Sequence, residues 1–364
     1  MNSPDLEMQE NSDYRRVTKA SLFHAVKAIF LALNVPEPDA AIAADVLVST
    51  DLRGIESHGV SNMLGGYVHY YETGVLNPTA TLTVVKETSS TARLNGNCGL
   101  GIIQGPKAMR MAIDKARAHG IGMVTVSRSG HLGAIGHHAL LAVEHDMIGM
   151  CFSANRPLMV PPGSAEALIG SNPLAIAAPT SRLPPVLFDI ATTATAINKI
   201  GNYIRQHQPV PPGMIADDKG IPVMESRLLE KEKVQLLPIG STKELGAHKG
   251  FGLAFIPEIL STFLSGALPF LLDPDHLNNH CFCVYNINCF TEVETFKTNL
   301  DIYLQRILDA ETTHESKQVF YPGYPEYLAE QERSQNGIPL HREVIQWFEQ
   351  FARQKPIPAL DICG

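Results

Sequence analysis

The sequence predicts an α/β fold in which a mixed-sheet domain sits beside a helical domain formed by both chain ends. Three observations carry that prediction. From about residue 80, short β-rich runs alternate with helical periods, the pattern of layered α/β folds. Near both termini, apolar residues recur at helical spacing, and the two ends share that texture. The 364 residues are 45% hydrophobic and only 18% charged, which supplies core for two domains and leaves no room for large-scale disorder. The expected division is residues 1–80 with 300–364 for the helical domain, and 81–299 for the sheet domain.

The elements follow in order. Residues 1–16 are polar and read as a loose tail. Leu22, Val26, Ile29, Phe30 and Leu33 fall at i, i+4, i+7, i+8 and i+11, an amphipathic helix stopped by Asn34 and Pro36. Pro38-Asp39 opens a second helix over 40–49. A polar, irregular segment spans 51–60, and an aromatic helix with Tyr67, Tyr70 and Tyr71 follows. Strands are expected at 81–85, 92–94, 122–126, 148–152, 175–178 and 186–190, with helices at 107–118 and 134–144. Residues 205–222 hold four prolines and two glycines and read as a surface loop or lid. The apolar stretch Gly252 to Leu272 contains Pro257, Glu258 and Pro269, so it reads as a buried helix rather than a membrane span. Helices at 294–308 and 342–353 complete the terminal layer.

Charge and cysteine usage narrow the function. Net charge is −8, with 37 acids against 29 bases, which argues against a nucleic-acid surface. A small anionic substrate then needs a local cationic or imidazole cluster. The run Cys281-x-Cys283-x5-Cys289 lacks the paired spacing of a zinc site, so no metal is expected and the thiols read as reduced. The acidic start, Met1-Asn-Ser-Pro-Asp-Leu-Glu, has no apolar run of a signal peptide. A cytoplasmic enzyme that binds neither nucleic acid nor membrane is the expectation.

Several constellations can carry chemistry. Gly99-Leu-Gly101-Ile-Ile-Gln-Gly105 mimics a dinucleotide fingerprint, but the following strand leads into Ser127-Arg-Ser129 rather than an acid for a ribose. An ordinary turn is the alternative. His58, in Ser57-His58-Gly59, and His131, in Ser129-Gly-His131-Leu-Gly133, sit beside glycine and small polar residues rather than on apolar faces. An imidazole there can exchange a proton with an alcohol or carbonyl, although a solvated loop histidine has the same look. His137, His138 and His145 lie on the next helix, where His138 and His145 are about 10 Å apart along the axis, too far to share one ion. Asp189, followed by Ile190, Ala191, Thr192 and Thr193, can bind a ribose, orient an imidazole or cap a helix. His248 and Lys249 open the long apolar helix where amides and a cation suit an anion.

These segments, in this order, resemble the malate/L-lactate dehydrogenase family. The resemblance runs from about Thr18 to Trp347. It is carried by Asp51-Leu-Arg-Gly-Ile-Glu-Ser-His-Gly-Val60, Ser129-Gly-His-Leu-Gly-Ala134, Gly170-Ser-Asn-Pro173, Asp189-Ile-Ala-Thr-Thr193, Lys249-Gly-Phe-Gly252, Tyr321-Pro-Gly-Tyr-Pro325 and Asn336-Gly-Ile-Pro339. It implies a mixed-sheet domain that binds NAD(P) without the Rossmann fingerprint, a helical domain from both chain ends, and a homodimer with the site between the domains. It further implies an acid/base histidine, matched by His58 in some members and by His131 in others, and Asn155, Asp189, Ile190, Ala191, Thr192, Thr193, His248, Lys249, Gly323, Tyr324 and Pro325 as cofactor contacts. Asn62, the segment Pro222-Val-Met-Glu-Ser-Arg with Glu230–Lys233, and residues 269–290 depart from the family's pattern.

The resulting reading is a dehydrogenase that moves a hydride between NAD, or NADP, and a small 2-hydroxy or 2-keto acid such as malate or lactate. Arg53 and Ser57 are the substrate-binding candidates, with Arg53 the best grip on the substrate carboxylate, although a structural ion pair is its alternative. His131 is favoured as proton carrier because Asp189 would reach its loop. Rival readings are reduction of a cyclic imino acid or ureidoglycolate-type substrate, a metal-dependent hydrolase or lyase built on His131, His137 and His138, and a non-catalytic binding protein.

Overall fold

A computed structural model describes residues 13–230, 234–274, 277–314 and 316–363. The expected tail at 1–12 and the charged Glu230–Lys233 beyond its first residue lie outside the described residues. The N-terminal region comprises β1 (Tyr14–Val17), α1 (Lys19–Ala32), α2 (Glu37–Leu52) and α3 (Val60–Glu72). Thr18 caps α1 by accepting the Ser21 N–H, and the expected Leu22, Val26, Ile29 and Phe30 form its buried stripe. The second helix begins three residues earlier than its apolar pattern, because Pro38 is tolerated in a first turn and Glu37 and Asp39 favour the positive end of the dipole.

The sheet region runs through β2 (Thr83–Glu87), β3 (Thr91–Gly99), α4 (Gly101–His119), β4 (Ile121–Ser129), α5 (Gly136–Val143), β5 (Met147–Ala154), β6 (Leu174–Ala178) and β7 (Val186–Ile190). After it come α6 (Ile197–Arg205), the short pair β8 (Ile215–Ala216) and β9 (Gln235–Leu236), and α7 (Ala247–Pro257), which passes into a π-helical turn at Glu258–Phe263. The chain ends through β10 (Asn278–Asn286), α8 (Val293–Leu308), α9 (Tyr324–Asn336), β11 (Ile338–His341) and α10 (Arg342–Gln354). Seven strands form one mixed sheet in the order β2-β3-β4-β10-β5-β6-β7, in which only β3 and β4 run parallel. The long strand β10 inserts between β4 and β5 and pairs antiparallel with both.

Two apolar cores result. Ala108, Met109, Ala112 and Ile113 of α4, with Ala139 and Ala142 of α5, cover one sheet face over Leu94, Val124, Phe282 and Val284. The other core joins α1, α2 and α3 to Val344, Phe348 and Phe351 of α10. There β1 pairs with β11, from Tyr14↔His341 to Val17↔Ile338, so residues 14–17 are a strand rather than a loose tail.

Three further expectations need correction. Helix α8, read as part of the terminal helical layer, lies against the sheet region instead: the buried Asp301 accepts the amides of Ser181, Arg182 and Leu183. Residues 205–222 are not loop throughout, because α6, β8 and β9 build a small core of Ile200, Val210, Ile215, Leu229 and Leu236. The apolar stretch from Gly252 is not a buried helix. Its inner side packs on the back of the sheet through Leu260, accepts Asn279 of β10 at Thr262 and meets Met159 and Ile169 through Ala254, while Phe255, Ile259, Phe263 and Leu264 stand exposed. Among the described residues no helix is long and apolar enough to cross a membrane.

The glycine motif at 99–105 opens α4 as expected of a turn and builds no phosphate cradle. The Ile102 amide at the helix start is taken by the His131 carbonyl at 3.1 Å, and a Cβ on Gly101 would overlap the carbonyl oxygen of Gly130. Gly101→Ala is therefore expected to destabilise by about 1–3 kcal/mol, the usual cost of overpacking. Gly201→Ala, in α6 with open space around it, should gain up to about 1 kcal/mol from helix propensity. Urea midpoints of the two variants that fail to move in opposite directions would refute this account of the 101 contact.

Candidate active site

A cavity of about 910 Å³ opens between the helical layer and the ends of β4, β5 and β7. The end of α2 supplies one wall. The buried Asp51 accepts the Val60 N–H at 2.8 Å, and Gly59 lies so close to that carboxylate that no side chain fits there. Burial raises Asp51 to about 7. Its carbonyl accepts Nη1 of the buried Arg333 at 2.7 Å. The chain between these anchors forms a 3₁₀ turn, Glu56–His58, that presents Ser57 and His58 to the cavity. From the opposite side, Asn198 of α6 donates to the Ser57 carbonyl at 2.7 Å.

The second wall is the turn Gly130–Gly133. His280 Nε2 donates to the Gly130 carbonyl, and His138 Nε2 to the Leu132 carbonyl, each at 2.9 Å. His131 lies between them, stacked on His58 with ring centroids 5.6 Å apart and planes 17° from parallel. The Gly133 N–H reaches His131 Nδ1 at 3.1 Å and the Tyr67 hydroxyl reaches the same nitrogen at 2.8 Å. A backbone amide only donates, so Nδ1 accepts and the neutral ring carries its proton on Nε2. Burial, reinforced by neighbouring His58, His280, His138 and Arg156, holds His131 at about 3. Burial lowers His58 to about 4, and among the described residues its Nδ1 meets only the Ser57 hydroxyl, at 2.9 Å, which can donate or accept.

The third wall follows β5. Asn155 Oδ1 accepts the Ser171 amide at 3.0 Å, and its own amide donates to Asn172. The Gly170–Pro173 motif thus serves to hold Asn155, with Asn172 itself anchored on Glu258 at 2.7 Å. Asp189, at the end of β7, accepts the Gly136 amide at 2.7 Å and caps α5. Burial, opposed by that amide bond, raises it to about 6. Among the described residues Asp189 is bonded to the Gly136 amide and not to His131, whose Nδ1 is held by Gly133 and Tyr67, so the expected steadying of an imidazolium by Asp189 is corrected.

Of the residues singled out from sequence, Ser57, His58, His131, Asn155, Asp189, Ile190, Ala191, Gly323 and Pro325 line the cavity. So does Asn62, one of the departures from the family pattern, whereas the other candidate site residues stand outside the lining. Arg53, at the turn ending α2, pairs with Glu330 of α9 at 3.1 Å, so it is a structural ion pair rather than a grip on substrate. The Thr192 hydroxyl turns onto the Ser171 carbonyl and that of Thr193 onto Thr195. His248 and Lys249 are exposed in the first turn of α7, and Tyr324 stacks on Phe320. Of the histidines proposed for a metal, His137 contacts Ser49 at 2.9 Å and His138 serves Leu132. Among the described residues no group of three or more His, Cys, Asp or Glu side chains is placed to hold an ion.

Sequence reasoning missed Tyr67, Arg156, Asn198, His280 and Glu326. Tyr67 was read as part of an aromatic helix, with no sign that its hydroxyl would meet His131. Arg156 directly follows Asn155 and was there to be noticed as a cation beside a site residue.

The malate/L-lactate dehydrogenase family model matches residues 17–349. The chain is 36% identical over 360 residues to a malate dehydrogenase of Pyrococcus abyssi, covering 97% of this chain and 98% of that protein. It is 30% identical over 349 residues to an L-sulfolactate dehydrogenase of Methanothermobacter thermautotrophicus, covering 94% and 98%. The fold superposes on the solved malate dehydrogenase of Pyrococcus horikoshii with a TM-score of 0.87, at 33% identity, covering 96% of this chain and 98% of that one.

The buried imidazoles make a test at low pH. His58, His131, His137, His138 and His280 are all held at about 3 to 4, below the ordinary histidine value. The unfolded chain therefore binds more protons than the native one as pH falls below about 6.5, and stability falls with it. Asp51 and Asp189, raised to about 7 and 6, act in the opposite direction but are fewer. The urea midpoint should be lower at pH 5 than at pH 7.5, and an equal or higher midpoint would contradict the buried-imidazole assignment.

Proposed function

The chain belongs to the malate/L-lactate dehydrogenase family, and on that premise we propose that it transfers a hydride between a nicotinamide cofactor and a small 2-hydroxy or 2-keto acid of the malate type. The observation that carries this reading is the pair of stacked imidazoles, one locked as a donor and the other free to change protonation, in a cavity also lined by Asn155 and Asp189.

The residues present suit such a cofactor. Asn155, Asp189, Ile190, Ala191, Gly323 and Pro325 line one continuous surface in which apolar and hydrogen-bonding groups alternate. Glu326 lines the same end, and its Oε2 is buried without a hydrogen-bond partner, an acceptor suited to a ribose hydroxyl. Two carboxylates there favour NAD over the extra phosphate of NADP. When bound, the nicotinamide supplies or takes the hydride.

The chain's own groups handle the oxygen and its proton. His131 Nε2–H donates to the oxygen on C2 of the substrate. Releasing that proton outright would need a second proton at Nδ1, which the Gly133 amide blocks. His58 is therefore the proton carrier: neutral in the cavity, it takes the hydroxyl proton during oxidation and returns one during reduction. Ser57 Oγ accepts from Nδ1 whenever the ring is charged. The cavity walls hold both reactants in register, the protein's main contribution to rate.

The exposed apolar side of α7 and the following turn, with Ile259, Phe263 and Leu264, suits burial against a second copy, and we place the homodimer contact there.

Tests are direct. Chelator-treated protein should bind NADH and oxidise it with oxaloacetate or pyruvate, whereas binding of neither NADH nor NADPH would overturn the reading, and turnover of a cyclic imino acid alone would replace the substrate. His58→Gln should lower kcat by roughly 10²–10⁴-fold with NADH affinity retained. His131→Ala should mainly raise KM. Because His58 sits at about 4, kcat/KM for oxidation should stay flat from pH 8 down to about 5 and fall only below that. An inflection near 6.5 would assign the base elsewhere.

A further inference from the structure

The cavity is electrically lopsided. Among the described residues that line it, Asp189 and Glu326 carry acid groups, His58 and His131 are neutral imidazoles, and Arg156 is the one cation. Arg156 is exposed, directly follows Asn155 off the end of β5, and makes no hydrogen bond or ion pair with another described residue. Of the other arginines nearby, Arg53 is paired with Glu330 at 3.1 Å, and Arg205, itself outside the lining, donates to the amide oxygen of the lining residue Asn62 at 3.0 Å. The field of Arg156 is felt at His131, whereas Asp189 responds to Glu326 and Arg53. Within the lining, Arg156 is thus the one positive charge acting on the imidazoles, while the acids have only Arg53 behind them, outside the lining and paired with Glu330.

A 2-keto acid carries its carboxylate on the carbon next to the one that reacts. When His131 holds the C2 oxygen, that carboxylate lies within a few ångströms of the imidazole pair. An anion in this cavity is repelled by the acid end and attracted to the one guanidinium, whose planar fork matches a carboxylate. We propose that Arg156 is the substrate anchor: it binds the carboxylate adjacent to the reacting carbon and thereby selects anionic 2-keto and 2-hydroxy substrates over neutral carbonyl compounds. This rests on the dehydrogenase reading above and assigns to Arg156 the part that sequence reasoning gave to Arg53. The orientation has a consequence for the cofactor, which is left the acid end with Glu326 and the backbone at Gly323.

The experiment uses wild type, Arg156→Met and Arg156→Lys, with NADH affinity from fluorescence titration, and KM and kcat for pyruvate and for its neutral amide. The Met variant should raise KM for pyruvate by roughly tenfold to a hundredfold, the scale of a lost charge-assisted contact. Its KM for the amide and its NADH dissociation constant should stay within about twofold of wild type, and the Lys variant should recover part of the loss. An unchanged KM for pyruvate overturns the proposal. Equal losses for pyruvate and its amide also overturn it, since that pattern marks a structural role. Parallel weakening of NADH overturns it as well, because Arg156 then serves the cofactor's pyrophosphate. A wild-type protein that binds NADH but reduces neither compound nor oxaloacetate refutes the dehydrogenase reading before any variant is compared.

Discussion

Three consecutive backbone carbonyls in one buried turn organise the chemistry of this molecule. Gly130, His131 and Leu132 each need a donor, and a buried carbonyl left unpaired costs about 1–3 kcal/mol. The donors come from three different elements: His280 on β10, the Ile102 amide at the start of α4, and His138 on α5. Meeting all three requirements places the turn with little freedom. His131 inherits that placement, and the Gly133 amide then decides which of its nitrogens bears the proton.

Burial gives the site its second property. Imidazoles removed from water resist protonation, so the cavity holds neutral rings where solvent-exposed ones would be partly charged near neutrality. The two rings are unequal nonetheless. His131 has both ring positions determined by its neighbours, while His58 faces a hydroxyl that tolerates either protonation state. The proposed division between an orienting ring and a proton-carrying ring rests on that difference in partners.

The same logic extends to charges. Arg53 and Arg156 both lie near site residues in sequence, but α9 brings Glu330 to the first and nothing to the second. Asp189 and Glu326 line the same cavity as the acids, the basis of the proposed separation between a cofactor surface and a substrate surface. Meanwhile the apolar residues of α7 and the turn after it are buried on one side only. Its outward side stays exposed, although the sequence pattern alone reads it as interior.

What the sequence by itself determined was local or periodic. The stripe of α1, the β-rich runs of β4 to β7 and the glycine-flanked His58 and His131 follow from side-chain spacing and turn chemistry, and the motif order sufficed for the family. Tertiary structure decided the rest, because it depends on partners distant in the chain. Strand β10 looked like a divergent cysteine-bearing segment, yet its alternation of His280, Phe282 and Val284 against Cys281, Cys283 and Tyr285 fills the centre of the sheet. The pairing of β1 with β11 joins residues more than 300 positions apart. Whether Asp189 steadies an imidazole or caps a helix, and whether Arg53 or Arg156 faces the cavity, turned on which group lay opposite in space, which spacing along the chain does not encode.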